Sequence, residues 1–367
     1  MQKMGIHLTA TVLESQEDHE RVYKSSKSNA NTITSSSPNH QVLYSLDATK
    51  LSIYFHETND DITKEDDESM SKKMKMNKFD RIQFNFPHWL GKANNRYNRQ
   101  LIDNFLKSAT DFITPNTGEI HMALCDGQGG SSASTLEQWK RSWMVALYAA
   151  DHGLLLTHVL PFEPTHDLSS HRGVDRPFHV GKNPKLYIFA KPNNDSDNKG
   201  EKDIVSTSST MTTMTSSVQL QLCCRHELHI ELPSHDQPVE ISNDVAEAKI
   251  HSPLYTADEM ANGDAILNIL QDSVVPKGIR VEVPIRKFLS ASTTGLESNI
   301  VVFLVVYCGE GRPLTRNEAD QYRSTTETEV AKHVPLRQNR IGRMVSKPVP
   351  YSLLKGLIEE RANDYLT

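Results

Sequence analysis

The sequence predicts two domains in series, an α/β domain on a mostly parallel sheet and then a smaller α+β domain. Three observations predict this. Residues 5–191 alternate β-branched runs with apolar residues at helical spacing, and they close with two strands that leave little room for a helix between them. Residues 192–217 have the Ser/Thr/Asn/Met composition of a linker. From 218 to 340 the order reads β-α-β-β-α-β, and 341–367 form a tail with a terminal helix.

The chain has 367 residues, room for two or three domains, with 37% apolar residues and a mean hydropathy of −0.51. A net charge of −6 excludes a chain-wide electrostatic nucleic-acid binder, so any RNA contact has to come from local basic patches. No apolar run approaches ~18–20 residues, so no membrane span is expected, and the first residues show no signal- or transit-peptide pattern. The cysteines are Cys125, Cys223, Cys224 and Cys308, with no Cys-x-x-Cys pair. They read as reduced, buried small hydrophobes of an intracellular protein, without a metal site.

Ile6 to Leu13 is a strand by alternation, closed by Glu14, and Ser15 with Asp18 is a weak capping box for a helix. Glu14 can accept the two hydroxyls of a ribose, or serve as a first-turn acid on the helix dipole. Residues 25–39 are rich in Ser, Asn and Thr and read as loop. Val42 to Leu46 is the next strand. Asp47 after it is a second strand-end acid, lining the same edge of a nucleotide pocket or making a turn. Residues 57–76, with acids followed by Lys72, Lys73 and Lys75, are a charged, solvated insertion. The strand from Phe79 to Phe84 stops abruptly at Asn85-Phe86-Pro87-His88, and ligands of open α/β sheets sit beyond such carboxyl ends.

Gly91 to Arg99 holds Lys92, Arg96 and Arg99 and no acid, a composition that neutralises phosphates or simply solvates a loop. Leu101, Ile102, Phe105, Leu106 and Ala109 then repeat at helical spacing. Gly118 to Leu124 is a strand running into the glycine-rich Cys125–Gly130 loop, which admits a ligand or makes a tight turn. Trp139, Trp143, Ala146, Leu147 and Ala150 predict one amphipathic helix, stopped by Gly153. Leu154 to Leu160 and Lys185 to Ala190 are the last two strands.

Leu8-Thr-Ala-Thr11, Asp47-Ala-Thr-Lys-Leu51, Phe79-Asp-Arg-Ile-x-Phe-Asn-Phe-Pro-His88, Gly118-Glu-Ile-His121, Gly127-Gln-Gly-Gly130 and Trp143 through Pro161-Phe162 occur in this order. Together they resemble the family of the 25S rRNA (uridine-N3)-methyltransferase. Asp175-Arg-Pro-Phe-His179 resembles its two-domain form in animal ferredoxin-fold anticodon-binding domain-containing proteins. The likeness covers about 5–191. It implies a Rossmann-like class I methyltransferase domain that uses S-adenosyl-L-methionine, with Glu14 and Asp47 beside the cofactor, to methylate uridine N3 in rRNA. Asn85 would hydrogen-bond the uracil edge, Phe86 and Pro87 would offer a flat face for stacking, and His88 would accept the N3 proton. The base must be unpaired or flipped to reach such a pocket. The family's glycine-rich turn before the Leu-Thr-Ala-Thr strand is absent, as are the central strand and first helix. The expectation is therefore an incomplete cofactor site without turnover, in an incomplete chain or an inactive copy.

In the second domain, Leu220 to Cys224 and His226 to Leu232 alternate as strands, Ala265 to Leu270 marks a helix, and Ile279 to Ile285 and Ile300 to Tyr307 are strands. Thr315-Arg-Asn-Glu318 is a capping box opening a helix, and Val334 to Arg337 can form a short last strand. Arg312-Pro-Leu-Thr-Arg-Asn-Glu318 and Val334-Pro-Leu-Arg337 resemble the anticodon-binding ferredoxin-fold domain that ends phenylalanyl-tRNA synthetase β chains, over about 219–340. That resemblance implies a ferredoxin-like fold and RNA docking. Arg337 and Arg340, with Lys332, Arg343 and Lys347, would be its basic edge, or an ordinary solvated face. The expected partner is RNA, either rRNA or tRNA, with no membrane and no metal. The expected location is the cytoplasm, with the nucleolus as the alternative. The alternative function is a catalytically inactive RNA-binding protein that works through this domain.

Overall fold

β-Branched and aromatic runs become strands at the places expected, but they are shorter than the sequence suggests. The computed structural model describes residues 5–56, 74–75, 78–91, 94–169, 175–192, 222–232, 263–276, 278–289, 299–309, 312–333 and 347–354. They fall into two units, Met1–Ala133 with Lys140–Gln219 and Ser134–Trp139 with Leu220–Thr367.

In the first unit, β1 (Thr9–Thr11) leads to α1 (Gln16–Val22), whose N-cap is Ser15 with its hydroxyl on the Asp18 amide. Next comes α2 (Ser26–Ser36), in the stretch expected to be loop. Its hydroxyls fold back on the helix itself. Thr32 donates to the Ser28 carbonyl at 2.9 Å, Thr34 to Ala30 at 3.0 Å and Ser36 to Ile33 at 2.7 Å. This back-bonding satisfies polar side chains without an apolar stripe, so periodicity could not find the helix. β2 (Gln41–Leu43) runs parallel to β1, with Thr9 opposite Gln41. A single 3₁₀ turn, Ala48–Lys50, leads into α3 (Leu51–Tyr54) and β3 (Phe55–His56), which pairs in parallel with β4 (Met74–Lys75). The rest of the charged insertion lies outside the described residues.

The main sheet uses β5 (Arg81–Asn85), β6 (Glu119–Leu124), β7 (Leu155–Pro161) and β8 (Lys185–Ala190). Their order is β5-β6-β8-β7. β5 and β6 are parallel, and β8 is antiparallel to both β6 and β7. The 16-residue α4 (Asn95–Thr110) lies against this sheet: Ile102, Phe105 and Leu106 are buried, and Phe105 meets Phe84 of β5 with ring centroids 4.5 Å apart. The single helix expected from Trp139 to Ala150 is two helices, α5 (Leu136–Arg141) and α6 (Val145–Asp151). The break has a backbone cause. Met144 sits at φ 51, and the Trp143 and Val145 amides bond the Gln128 and Gly129 carbonyls of the glycine-rich loop instead of continuing a helix.

The second unit is an antiparallel sheet. One long strand, β9 (Leu222–Leu232), replaces the two expected, followed by α7 (Gly263–Ser273), β10 (Ile279–Leu289), β11 (Asn299–Gly309), α8 (Arg316–Ala331) and β12 (Val349–Pro350). The strand order is β10-β11-β9-β12. The helices cover one face: Ile266, Ile269 and Leu270 of α7 and Ala319, Tyr322 and Val330 of α8 join Leu228, Ile230, Val301, Phe303, Val305 and Tyr307 in one core. The strand beside β9 is Val349–Pro350, in the stretch read as tail; Val334 to Arg337 lies outside the described residues. The expected capping box of α8 is present, with Thr315 and Glu318 exchanging side-chain-to-backbone bonds of 2.9 and 3.2 Å.

Cys223 and Cys308 are directly opposite each other on β9 and β11, joined in a disulfide with Cα atoms 4.5 Å apart. This corrects the expectation of four reduced cysteines: the ladder brings together residues 85 positions apart, a pairing that spacing does not reveal. Cys224 is buried and reduced, its thiol pushed up to about 12 mainly by burial. A thiol so held carries too little thiolate to act as a nucleophile.

Candidate functional site

The carboxyl edge of β5 and β6 gathers the Asn85–His88 turn and the Cys125–Gly130 loop. β5 ends at Asn85, opposite Ala123, and the next amide, that of Phe86, still donates to the Ala123 carbonyl at 2.8 Å. The chain then turns sharply, because Phe86 adopts the left-handed region at φ 48. A bulky L-residue rarely sits there, and such strain persists only where packing over-determines it. Here the packing is visible. The Phe86 ring is buried between Phe162 after β7, with centroids 5.1 Å apart and edge to face, and Phe178, at 5.3 Å. Phe86 therefore faces inward, and the flat stacking surface expected of it is not offered. Pro87 is buried too.

Asn85 is exposed, and its side-chain oxygen accepts from the Gln83 amide nitrogen at 3.0 Å. Residues two apart on a strand share a face, so Gln83 orients the Asn85 amide through its oxygen and leaves the NH₂ as its donor group. Gln83 was not singled out from the sequence; the period-two spacing from Asn85 was the available signal. His88 is half-buried, and its Nδ1 lies 2.6 Å from the Trp89 carbonyl. A carbonyl can only accept, so Nδ1 carries a proton.

The glycine-rich loop is packed rather than open. A Cβ on Gly129 would lie 2.1 Å from the Tyr187 ring, and the Tyr187 hydroxyl shares a 2.7 Å bond with Ser131. Gly127 sits at φ 74, where glycine is the natural residue. The loop thus serves a tight turn against β8. Asp175-Arg-Pro-Phe-His179 also has a supporting task. Phe178 packs on Phe86, and Asp175 accepts from the Lys24 amide at 3.2 Å, between α1 and α2.

The two strand-end acids come from neighbouring parallel strands, β1 and β2. The Glu14 carbonyl accepts the Ser45 amide at 2.9 Å, which ties these two strand ends together. Glu14 is half-buried, and its carboxylate has no hydrogen-bond or ion-pair partner among the described residues. Asp47 is different. Its Oδ1 accepts from the Thr49 amide at 2.9 Å and the Thr49 hydroxyl at 2.7 Å, and Lys50 lies 3.5 Å from Oδ2. Burial alone would raise this carboxyl, but the Thr49 bonds and the Lys50 charge outweigh it and hold it below the ordinary carboxylate value. Asp47 is the cap of the 3₁₀ turn, the local alternative left open above. The Leu51 amide at the end of that turn bonds the Ser108 hydroxyl of α4 at 2.8 Å, which links this edge to the helix behind β5.

The basic residues divide. Arg96 is exposed in the first turn of α4. Arg99 is turned inward, its Nε 3.0 Å from the Ser142 carbonyl and Nη2 on the Lys140 carbonyl. It holds the corner between α5 and α6, which corrects its expected use as a phosphate contact. Lys92, Arg337 and Arg340 lie outside the described residues. Arg99→Lys should therefore lower thermal stability by about 1–2 kcal/mol, because an ammonium cannot fork across two carbonyls. Calorimetric unfolding of the two proteins measures this, and equal midpoints would refute the structural role.

Among the described residues, no helix is long and apolar enough to cross a membrane, and no cluster of three or more His, Cys, Asp or Glu side chains is placed to hold a metal.

Comparison with known proteins adds three likenesses. Residues 1–166 match the family described as rRNA (uridine-N3-)-methyltransferase BTM5-like. The ferredoxin-fold anticodon-binding domain-containing protein 1 homolog of Mus musculus is 41% identical over 118 residues, 31% of this chain and 19% of that protein. The Homo sapiens ferredoxin-fold anticodon-binding domain-containing protein 1 is 40% identical over 107 residues, 28% of this chain and 17% of that protein. The chain spans less than a fifth of the length of these curated relatives. Over residues 1–166 it is similar to the family described as rRNA (uridine-N3-)-methyltransferase BTM5-like.

Proposed function

We propose that the first unit is the substrate side of an S-adenosylmethionine-dependent RNA methyltransferase acting on uridine N3 in rRNA. The observation that carries this reading is the Asn85–His88 turn. It sets an amide donor, oriented by Gln83, beside a histidine whose tautomer is fixed by the Trp89 carbonyl. The Asn85 NH₂ suits a uracil carbonyl. His88 Nε2 suits the N3 proton, and N3 freed of that proton is the nucleophile. Phe86 contributes by holding the turn rather than by touching the base. The family implies S-adenosylmethionine, which when bound supplies an electrophilic methyl group. Glu14 fits that cofactor as a half-buried, unengaged carboxylate at a parallel strand end, able to take ribose hydroxyls. Asp47 contributes by fixing the neighbouring turn. We read β5-β6-β8-β7 as one side of a Rossmann-like methyltransferase sheet, and β1-β2 as strands of its other side.

A second reading rests on the other unit. Its strand order with two helices on one face fits a ferredoxin-like fold, and two relatives carry an anticodon-binding domain in their names. This unit would dock RNA, with Arg337 and Arg340 on its edge, and would do so even in a protein that does not methylate.

The test is incubation with S-adenosylmethionine and ribosomal RNA, followed by nucleoside mass spectrometry. In contrast to the chain without turnover expected from the missing glycine-rich turn, this reading expects 3-methyluridine, reduced about tenfold by Asn85→Ala, the loss of one hydrogen bond. Absence of S-adenosylmethionine binding in calorimetry would sink the first reading. RNA crosslinking confined to the second unit, without methylation, would select the second.

A further inference from the structure

Immediately after His88 stands a pair of exposed aromatic rings that the reaction above does not use. Trp89 is 40% exposed and Tyr97, in the first turn of α4, is 41% exposed. Their rings stack, with centroids 5.4 Å apart and planes 20° from parallel. Surface aromatics usually fold down onto apolar neighbours. This residue is instead held at its backbone and along two sides of its ring. Its backbone amide donates to the buried Asn98 side chain at 2.8 Å, Tyr97 stacks on the ring, and Gly91 passes beneath its edge. A Cβ at 91 would come within 2.9 Å of Trp89 Nε1, so only glycine leaves the indole where it is. A surface ring held this firmly binds at low entropic cost.

Along the sequence, the charge flanking the pair has one sign. Residues 81–102 contain no Asp or Glu, and Arg96 is exposed one position before Tyr97. Stacked aromatics with a neighbouring cation, in a stretch of sequence without carboxylates, match the chemistry of an unpaired nucleotide. Every base has a π-face, so such a platform holds a nucleotide without reading its sequence.

We propose that Trp89 and Tyr97 form a stacking platform for an unpaired base next to the target uridine, with Arg96 on the adjoining phosphate. This rests on the RNA-methyltransferase reading and deepens it. Trp89 is covalently next to His88 and supplies the carbonyl that fixes its tautomer. A base stacked there would hold the neighbouring uridine out of its helix, in reach of Asn85.

The probe is a fluorescein-labelled, uridine-rich single-stranded RNA dodecamer, titrated by anisotropy with the full chain. Trp89→Ala should weaken binding about five- to a hundredfold, and Trp89→Phe should keep most of the affinity. The salt dependence should stay the same for Trp89→Ala and become shallower by about one ion for Arg96→Gln. Both rings are largely outside the core, and the Trp89 amide bond to Asn98 survives either substitution, so the variants fold. Unchanged affinity in Trp89→Ala overturns the proposal, as does a wild-type chain that binds no RNA. Equal competition by a fully paired duplex overturns it, since paired bases offer no free face. Concentration-dependent self-association lost in Trp89→Ala, with RNA affinity intact, would assign the rings to a protein contact instead. RNA binding lost in Trp89→Ala without any 3-methyluridine formation would leave the platform standing and remove the enzymatic reading. Methylation with undiminished Trp89→Ala binding would do the reverse.

Discussion

Replacing Phe86 by glycine is expected to damage the first unit less than replacing it by alanine. Either change removes a buried ring from its contacts with Phe162 and Phe178, a loss of about 3–5 kcal/mol for a core phenylalanine cut to alanine. Ordinarily glycine is the worse choice, because it loses more freedom on folding. At Phe86 the order should invert. The backbone stands at φ 48, where an L-residue costs about 1–2 kcal/mol that glycine does not. Phe86→Gly should thus exceed Phe86→Ala in stability by about 1 kcal/mol. Hydrogen exchange of β5 and β6 amides is the appropriate measure, because a chain of two units need not melt in one step. Alanine matching or exceeding glycine would mean that the turn is not strained and that Asn85 and His88 are not held by it.

Mild acid is expected to loosen the second unit before the first. His226 on β9 is 2% exposed and stacks on Tyr307 at 5.5 Å; its Nε2 has no partner among the described residues. Burial, helped by the charge of Arg323, pushes its pKa from 6.5 down to about 3. As pH falls below 6.5 the unfolded histidine takes up a proton that the folded one refuses, so the unfolded state binds more protons and stability falls. The contribution is fully present above about pH 6.5 and declines by about 1.4 kcal/mol per pH unit, or about 2 kcal/mol by pH 5. Glu318 acts in a lower window. Burial would raise its carboxyl, but Arg312, with Nη1 3.0 Å from Oε2, and the Thr315 bonds hold it below its usual 4.5. Its stabilisation is therefore lost only as pH drops beneath that range. Denaturant titrations at pH 7 and pH 5, read through β9 and β11 amides, test the histidine. His226→Phe should flatten the difference, and an unchanged slope in that variant would refute the assignment.

Strand positions and the long amphipathic helix were legible because burial imposes periods on a sequence. Phe84, Ile102 and Phe105 show those periods and pack as they suggest. The opening of α8 was legible because a capping box is a local chemical device, and Thr315 and Glu318 carry it out. What sequence could not reveal depends on distant residues. α2 is held by its own hydroxyls, the Met144 break is imposed by carbonyls of the glycine loop, and Cys308 meets Cys223 only through strand register. At the site, the identities of Asn85 and His88 were readable, but their orientations were not. Those come from Gln83, which falls on the unspecified position of its motif, and from Phe162 and Phe178, whose motifs do not say what the rings pack against. Arg99 shows the opposite error: charge in a basic stretch suggested a ligand, whereas two backbone carbonyls claim the guanidinium.

The position of β8 between β6 and β7 has a consequence for synthesis. Among the described residues β7 pairs with β8 alone, which is made about twenty-five residues later. While the chain is being extended, β7 therefore has no ladder to join, and β6 keeps one edge open. Both are closed in a single step when Lys185–Ala190 inserts between them. The segment from Phe162 to Pro184 that spans this interval carries Phe162 and Phe178, the two rings that pin Phe86. The Asn85 turn would therefore acquire its support only once the last strand of the sheet is in place, so that completing the fold and assembling the site become one event.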